Sequence, residues 1–261
     1  MIDRIGRRAV AAVQGIGRFG HFLADVARAV PDVSTWRGPA LVQMRRIGVD
    51  SLPVALFIAA FTGIVLALQA SYTFTGTVPL YVVGTVVGKT LMLELGPVLT
   101  GLALAGRVGA SLAAELGTMK VTEQVDALET LAYDPHAYLV VPRVLAGTVM
   151  VPLVVALGIV TGLLTGWLTS LALLDLSTAE FLKGLKLLYR FKDIWFGLAK
   201  SASFGLTITL IGCRLGLGTR ENPQQRVAEI TADSPQRIKY RFSGTHEDGT
   251  VELVYPALVE N

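Results

Sequence analysis

Charged residues are missing from two long blocks of the chain. No Asp, Glu, Lys or Arg lies between Ser51 and Gly88, or between Val144 and Leu174. Each block exceeds the roughly 20 apolar residues that cross a bilayer core as a helix. The first predicts a span over about 51–70, followed by a polar turn at 71–77. A second apolar segment, 78–113, carries Lys89, Glu94 and Arg107. It is too long for one perpendicular crossing and predicts a tilted or extended helix, kinked at Pro97. The second charge-free block predicts a third span over 144–171. Residues 194–217, interrupted by Lys200, predict a fourth. The expected fold class is an all-α integral membrane protein with about four transmembrane helices in a membrane domain over 47–218.

The flanking regions have other patterns. Residues 1–46 mix Val10, Val13, Phe19, Phe22, Leu23 and Val26 with Arg7, Arg8, Arg18 and Arg28. This predicts an N-terminal interfacial amphipathic helix, too polar to enter hydrocarbon, broken at Pro31 and again at Trp36-Arg37-Gly38-Pro39. Residues 114–141 are polar. There Thr122 is placed to N-cap a short helix, with Glu123 and Asp126 near its positive end and Tyr133-Asp134-Pro135 closing it. Val125, Leu128 and Leu131 would line one side of that helix. Ser177-Thr178-Ala179-Glu180 has capping-box spacing ahead of Phe181, Leu182, Leu185 and Leu188. The polar tail, 219–261, alternates at Ile238, Tyr240 and Phe242 and again at Val251, Leu253 and Tyr255, which predicts a β-hairpin.

Composition supports the membrane reading. The chain is 52% hydrophobic and 16% charged, against about a quarter charged in a soluble domain. This excludes an ordinary cytosolic enzyme and a disordered chain. Cys213 is the single cysteine, so a disulfide scaffold is excluded too. The pI near 9.1 reflects local charge. Eight arginines lie at or before Arg46 against Asp3, Asp25 and Asp32, whereas from Thr219 onward five basic residues face seven acidic ones. A basic stretch ahead of the first span fits anionic headgroups and the positive-inside rule, not nucleic acid. With the N-terminus inside, eleven Lys and Arg fall on the cytoplasmic side and four outside, which favours that orientation. The first long apolar run begins near Ile47, too late for a cleavable leader.

Few motifs suggest chemistry. Gly84-Thr85-Val86-Val87-Gly88-Lys89-Thr90 nearly matches a phosphate-binding loop, but Val83 stands where that motif needs glycine. Gly15-Ile16-Gly17-Arg18-Phe19-Gly20 fits a dinucleotide fingerprint with no strand ahead of it. His21, His136 and His246 are scattered, so neither a catalytic constellation nor a metal site is expected. Small residues recur every four positions at Gly101, Ala105, Gly109, Ala113 and Gly117, and at Gly158, Gly162 and Gly166. Such ridges predict helix-packing faces. Glu94 and Lys200 matter most, because a charge at bilayer depth costs about 2.5–3.5 kcal/mol and needs a partner or a wet cavity. They form an interhelical ion pair, or Lys200 snorkels to an interface, or both line a cavity that meets a charged headgroup.

The run Glu94-Leu95-Gly96-Pro97-Val98-Leu99-Thr100, then Ala105-Gly106-Arg107-Val108-Gly109-Ala110, then Ala114 through Leu128, closely resembles the signature of MlaE/YrbE permeases. These are the membrane subunits of MCE-type ABC lipid transporters. Pro135, Val141-Pro142-Arg143, Ala199-Lys200-Ser201 and Ile211-Gly212-Cys213 continue the match, over about residues 5–218. The resemblance implies a homodimeric permease of the bacterial inner membrane, two cytoplasmic ATPases below it and a periplasmic MCE-domain protein above it. It implies phospholipid or a related lipid as cargo, linked to outer-membrane lipid asymmetry. It also implies no cofactor of the chain's own, since ATP is used by the partner. By the same resemblance Glu94, Lys200, Leu93 and Pro97 belong to a lipid cavity. Glu115, Lys120, Thr122, Glu123, Gln124, Asp126 and Leu128 belong to the element that couples to the ATPase. Relatives often place arginine where Leu93 stands. They also continue past the Gly212 region into a final span, whereas no apolar run near 20 residues follows Leu217 here. An ion-coupled secondary transporter, or a scaffold inactive for want of the last span, remain the alternatives.

Overall fold

A computed structural model describes residues 2–73, 79, 81–174, 176–187 and 190–218, with side chains from residue 13 onward. Among these residues every regular element is helical, and four helical stretches are long and apolar enough to cross a membrane. The expected hairpin over 219–261 lies outside the described residues, as does Leu188.

The basic front forms α1 (Ile2–Ala29), and the chain breaks after it at Pro31 as expected. Phe22 and Val26 are buried while Val13 and Ile16 are about 70% exposed, the two-sided exposure of a helix lying on lipid. The second expected break is absent. α2 (Val33–Ile47) runs through Pro39 and buries Ala40, Gln43 and Ile47. Asp32 receives the hydroxyls of Ser34 (2.8 Å) and Thr35 (2.6 Å), and Trp36 Nε1 donates to Val30 O. These bonds organise the start of α2, and the packing of its buried face carries it past the proline.

A short 3₁₀ turn, Val49–Ser51, leads into α3 (Leu52–Thr73). The second crossing is one helical run from Val82 to Val121. It consists of α4 (Val82–Thr90), α5 (Gly96–Leu104) and α6 (Ala110–Val121), joined by π-helical segments Leu91–Leu95 and Ala105–Gly109. The kink expected at Pro97 is thus a π-segment that ends just before that proline; bends commonly arise at such insertions. A further π-segment, His136–Val140, opens α8 (Val141–Leu173). α9 (Thr178–Leu187) is capped as its spacing predicts: Ser177 N donates to Glu180 Oε2 (3.0 Å) and Glu180 N to Ser177 Oγ (3.3 Å). α10 (Phe191–Leu217) completes the bundle.

Helix packing here inverts the soluble rule. On α3 the buried residues are Ala55, Ala59, Gly63, Ala67 and Ala70, while Phe57, Phe61 and Val65 point outward. On α8, Gly158, Gly162 and Gly166 are buried while Leu153, Leu157, Leu164 and Leu168 are exposed. Lipid is as apolar as leucine, so large side chains gain nothing by turning inward, and small ones let backbones touch. A Cβ on Gly162 would meet Ala59 O, and one on Gly166 would meet Val87 and Gly63 O. The ridge at 101–117 packs on α10, where Gly101 faces Phe204 and Gly216 faces Ala113 O. Gly84 likewise approaches Phe181 O of α9, and Gly184 approaches Tyr81 O. The glycines that imitate a phosphate loop are packing contacts.

The short polar helix is displaced by one residue from its expected start. Thr122 ends α6, and Glu123, at φ 60°, precedes α7 (Gln124–Thr130). The Thr122 hydroxyl turns back to Thr118 O (2.8 Å) and does not cap α7. Val125 is buried and Leu128 half-buried against the inner core, but Leu131 is 69% exposed because the helix has already ended.

Candidate functional site

Two clusters of charge sit at different levels of the bundle; inner denotes the end that carries α7 and outer the end that carries α9, as labels only. The outer one joins the second crossing to α10. Lys200 Nζ lies 2.5 Å from Glu94 Oε2 and 3.3 Å from Leu93 O. Backbone chemistry accounts for the second contact. Pro97 has no N–H, and the acceptor it would use in an α-helix is the Leu93 carbonyl. Lys200 supplies the donor instead. Gly197, one turn earlier on α10, has no side chain to strike Met92 O, so α10 comes close enough for Lys200 to reach. All four residues expected around a cavity, Glu94, Lys200, Leu93 and Pro97, therefore meet at one π-segment. The pair is interhelical, and the Glu94 side chain is still 61% exposed.

An apolar groove of about 350 Å³ lies between α3 and the second crossing. Phe57, Phe61, Val65 and Leu66 line one side, and Leu95 and Leu99 the other. Leu95 of the π-segment lines this groove, whereas Glu94, next in the chain, turns to Lys200 of α10.

The inner cluster centres on Glu115. Its Oε2 accepts from Arg46 Nη1 (2.6 Å) and its Oε1 from Arg143 Nη2 (2.9 Å), tying α2, α6 and α8 through one carboxylate. Arg143 is only 4% exposed, and its Nη1 also donates to Leu139 O. Nearby, Arg107 Nη1 donates to Ser51 Oγ. Lys120 Nζ reaches Asp126 Oδ1 (2.9 Å), bracing α6 against α7, and Gln124 Nε2 donates to Thr122 Oγ1 (3.0 Å). Glu123 is exposed at the tip with left-handed backbone, a conformation that costs a non-glycine residue about 1–2 kcal/mol. The seven residues expected to couple thus divide. Glu115 faces the bundle, Leu128 packs on it, and Thr122, Glu123 and Gln124 face away.

Sequence reasoning missed Arg46, Arg143 and Arg107 as partners, and the outer pair of Lys89 and Asp193 at 3.6 Å. Three of these have a signal of position: Arg143 and Lys89 flank a charge-free block, and Arg107 is the one charge between Glu94 and Glu115; Arg46 and Asp193 have none. The four-residue recurrence of Gly197, Ser201, Gly205, Thr209 and Cys213, all buried, was also legible in the chain.

A model of the family described as Permease MlaE matches residues 40–234. The chain belongs to the MlaE permease family. It is 40% identical over 214 residues to a probable ABC transporter permease protein of Rickettsia bellii, covering 82% of this chain and 83% of the relative. It is 40% identical over 183 residues to a probable ABC transporter permease protein of Synechocystis, covering 70% of each. A plant relative, the Arabidopsis thaliana chloroplastic protein trigalactosyldiacylglycerol 1, is 35% identical over 184 residues, covering 70% of this chain and 52% of that protein. This MlaE-family permease is a multi-pass membrane protein and a transporter subunit rather than itself a catalyst.

Proposed function

We propose that this MlaE-family permease moves phospholipid or a related lipid between the bacterial inner membrane and a periplasmic MCE-domain carrier, as a homodimer driven by a separate cytoplasmic ATPase. One observation carries the lipid reading. One π-segment, Leu91–Leu95, gives Glu94 to the ion pair with Lys200 and Leu95 to an apolar groove, so charge and a greasy surface occur at one level of the bundle, which suits a molecule with a charged head and hydrocarbon tails. The name of the plant relative, which contains a glycolipid, supports the same class of cargo.

The ATPase reading rests on α7. Its tip presents Glu123 and Gln124 outward, while Lys120 and Asp126 brace it to α6, which Glu115 ties to α2 and α8. A push on that tip reaches three helices through short, charge-assisted bonds. Nucleotide acts only through the partner, since a ligand shifts a two-state element only by favouring one of its states. The N-terminus and α7 then lie on the cytoplasmic side.

Two measurements test this. Glu123→Lys keeps the left-handed backbone equally strained and reverses one exposed charge. It should abolish co-purification of the ATPase while leaving membrane insertion intact, and normal capture of the ATPase would refute the coupling role. Lys200→Met should cut phospholipid retained by the detergent-purified protein about fivefold, the factor equivalent to ~1 kcal/mol. Unchanged retention would remove the cavity from the mechanism.

A further inference from the structure

A second polar cavity, of about 260 Å³, opens at the inner end of the bundle, away from the Glu94 and Lys200 pair. Gln43, Arg46, Asp50, Arg107 and Ser111 line it, with Ile47 behind. Its level in the membrane follows from the chain. Asp50 and Ser51 immediately precede the charge-free helix α3, and Arg107 is bonded to Ser51, so the cavity lies where headgroups meet hydrocarbon. Val49 and Val54, on either side of Asp50 in the chain, are exposed and offer an apolar surface for acyl chains.

The charges in the cavity do not cancel internally. Each guanidinium has five N–H donors. Arg46 gives one to Glu115 and Arg107 one to Ser51 Oγ. Asp50 forms no ion pair among the described residues, although Arg107 is anchored one residue away. Gln43 is only 8% exposed, and its Oε1 has no hydrogen-bond partner. A buried acceptor left unmade costs about 1–3 kcal/mol, and the last torsion of glutamine is soft enough to turn that oxygen toward an arriving donor.

This combination selects by charge. Asp50 opposes a bare anion such as phosphate, and two arginines oppose a metal cation. A zwitterion satisfies both. We propose that the cavity is a seat for the headgroup of an inner-leaflet aminophospholipid. Arg46, Arg107 and the Ser111 hydroxyl hold the phosphate, and Asp50 and Gln43 Oε1 take the N–H donors of the primary ammonium. The seat is separate from the transport cavity and does not depend on transport.

The test uses the full chain, delipidated in detergent and carrying Lys200→Met so that the outer pair does not contribute. Short-chain phosphatidylethanolamine, phosphatidylcholine and phosphatidylglycerol are titrated, with glycerophosphoethanolamine as the water-soluble source of the same head. Phosphatidylethanolamine should bind about tenfold tighter than phosphatidylcholine, whose quaternary ammonium has no N–H to donate. Asp50→Asn, at an exposed position, should erase that preference, and Gln43→Leu should reduce it. Arg107→Gln should weaken all three lipids. Equal binding of the ethanolamine and choline lipids, or a preference that survives Asp50→Asn, overturns the proposal. Glycerophosphoethanolamine binding as tightly as the lipid also overturns it, by assigning the seat to a soluble phosphoester.

Discussion

The inner and outer ends of the bundle are both cross-tied by charge, yet they are built differently. At the inner end one carboxylate, Glu115, serves two arginines from two other helices, and one of these is almost wholly buried. At the outer end Lys89 with Asp193 and Lys200 with Glu94 are separate pairs, each with one partner more than a third exposed. Backbones in contact, at Gly63 with Gly162, Gly84 with Phe181 and Gly184 with Tyr81, hold the outer end independently of those pairs. A carboxylate that serves a buried arginine cannot be removed without stranding that arginine. An exposed pair can be lost while the glycine contacts persist. The first arrangement suits a rigid transmitter, and the second leaves charged groups available to a ligand.

The largest expected effect is at Glu115. Glu115→Ala leaves Arg143 buried without its counter-charge and should destabilise the protein by about 3 kcal/mol, read as a lowered thermal midpoint in detergent. Because the cost comes from the stranded charge, adding Arg143→Met should restore much of it. A single and a double variant of equal stability would break the contrast between the two ends.

Lys200→Met should be mild by the same measurement. The Glu94 side chain that it leaves behind is 61% exposed and not sealed in the core, so less charge is stranded than at Arg143. A loss as large as that of Glu115→Ala would mean the outer pair is structural after all.

The smallest effect concerns α9. Hydrogen bonds from the Ser177 hydroxyl and then the Ser177 backbone N–H hold the Glu180 carboxyl below its ordinary value of 4.5. The folded pKa is depressed, so the cap contributes fully above that value and is lost as pH falls through the lowered one. Hydrogen exchange of α9 amides, corrected for intrinsic rate, should accelerate as pH falls below 4.5, and Glu180→Gln should flatten that change. An α9 that exchanges alike across this range in the native chain would remove the cap from its stability.

Much of the architecture was readable along the chain. The charge-free blocks place α3 and α8, the four-residue spacing of small residues marks the contact faces of the second crossing and of α8, and Ser177 to Glu180 announces α9. Pro39 and Thr122 were misread for one reason. Local rules place a break or a cap where a residue type permits it, while the packing of α2 and the backbone turn at Glu123 decide whether it occurs. The candidate residues Glu94 and Lys200 stood out because isolated charge is costly in lipid. Their partner carbonyl at Leu93 did not, since it depends on a missing N–H at Pro97 and on Gly197 of another helix.

What the amino-acid order settled alone is how much of this permease lies in the membrane and which faces of its helices are small, because burial in lipid and backbone approach depend on residue type and spacing. Which charges meet was decided only in three dimensions. Arg46, Glu115 and Arg143 are far apart in the chain, and electrostatic attraction acts across space, so only the packed bundle determines that one carboxylate joins three helices.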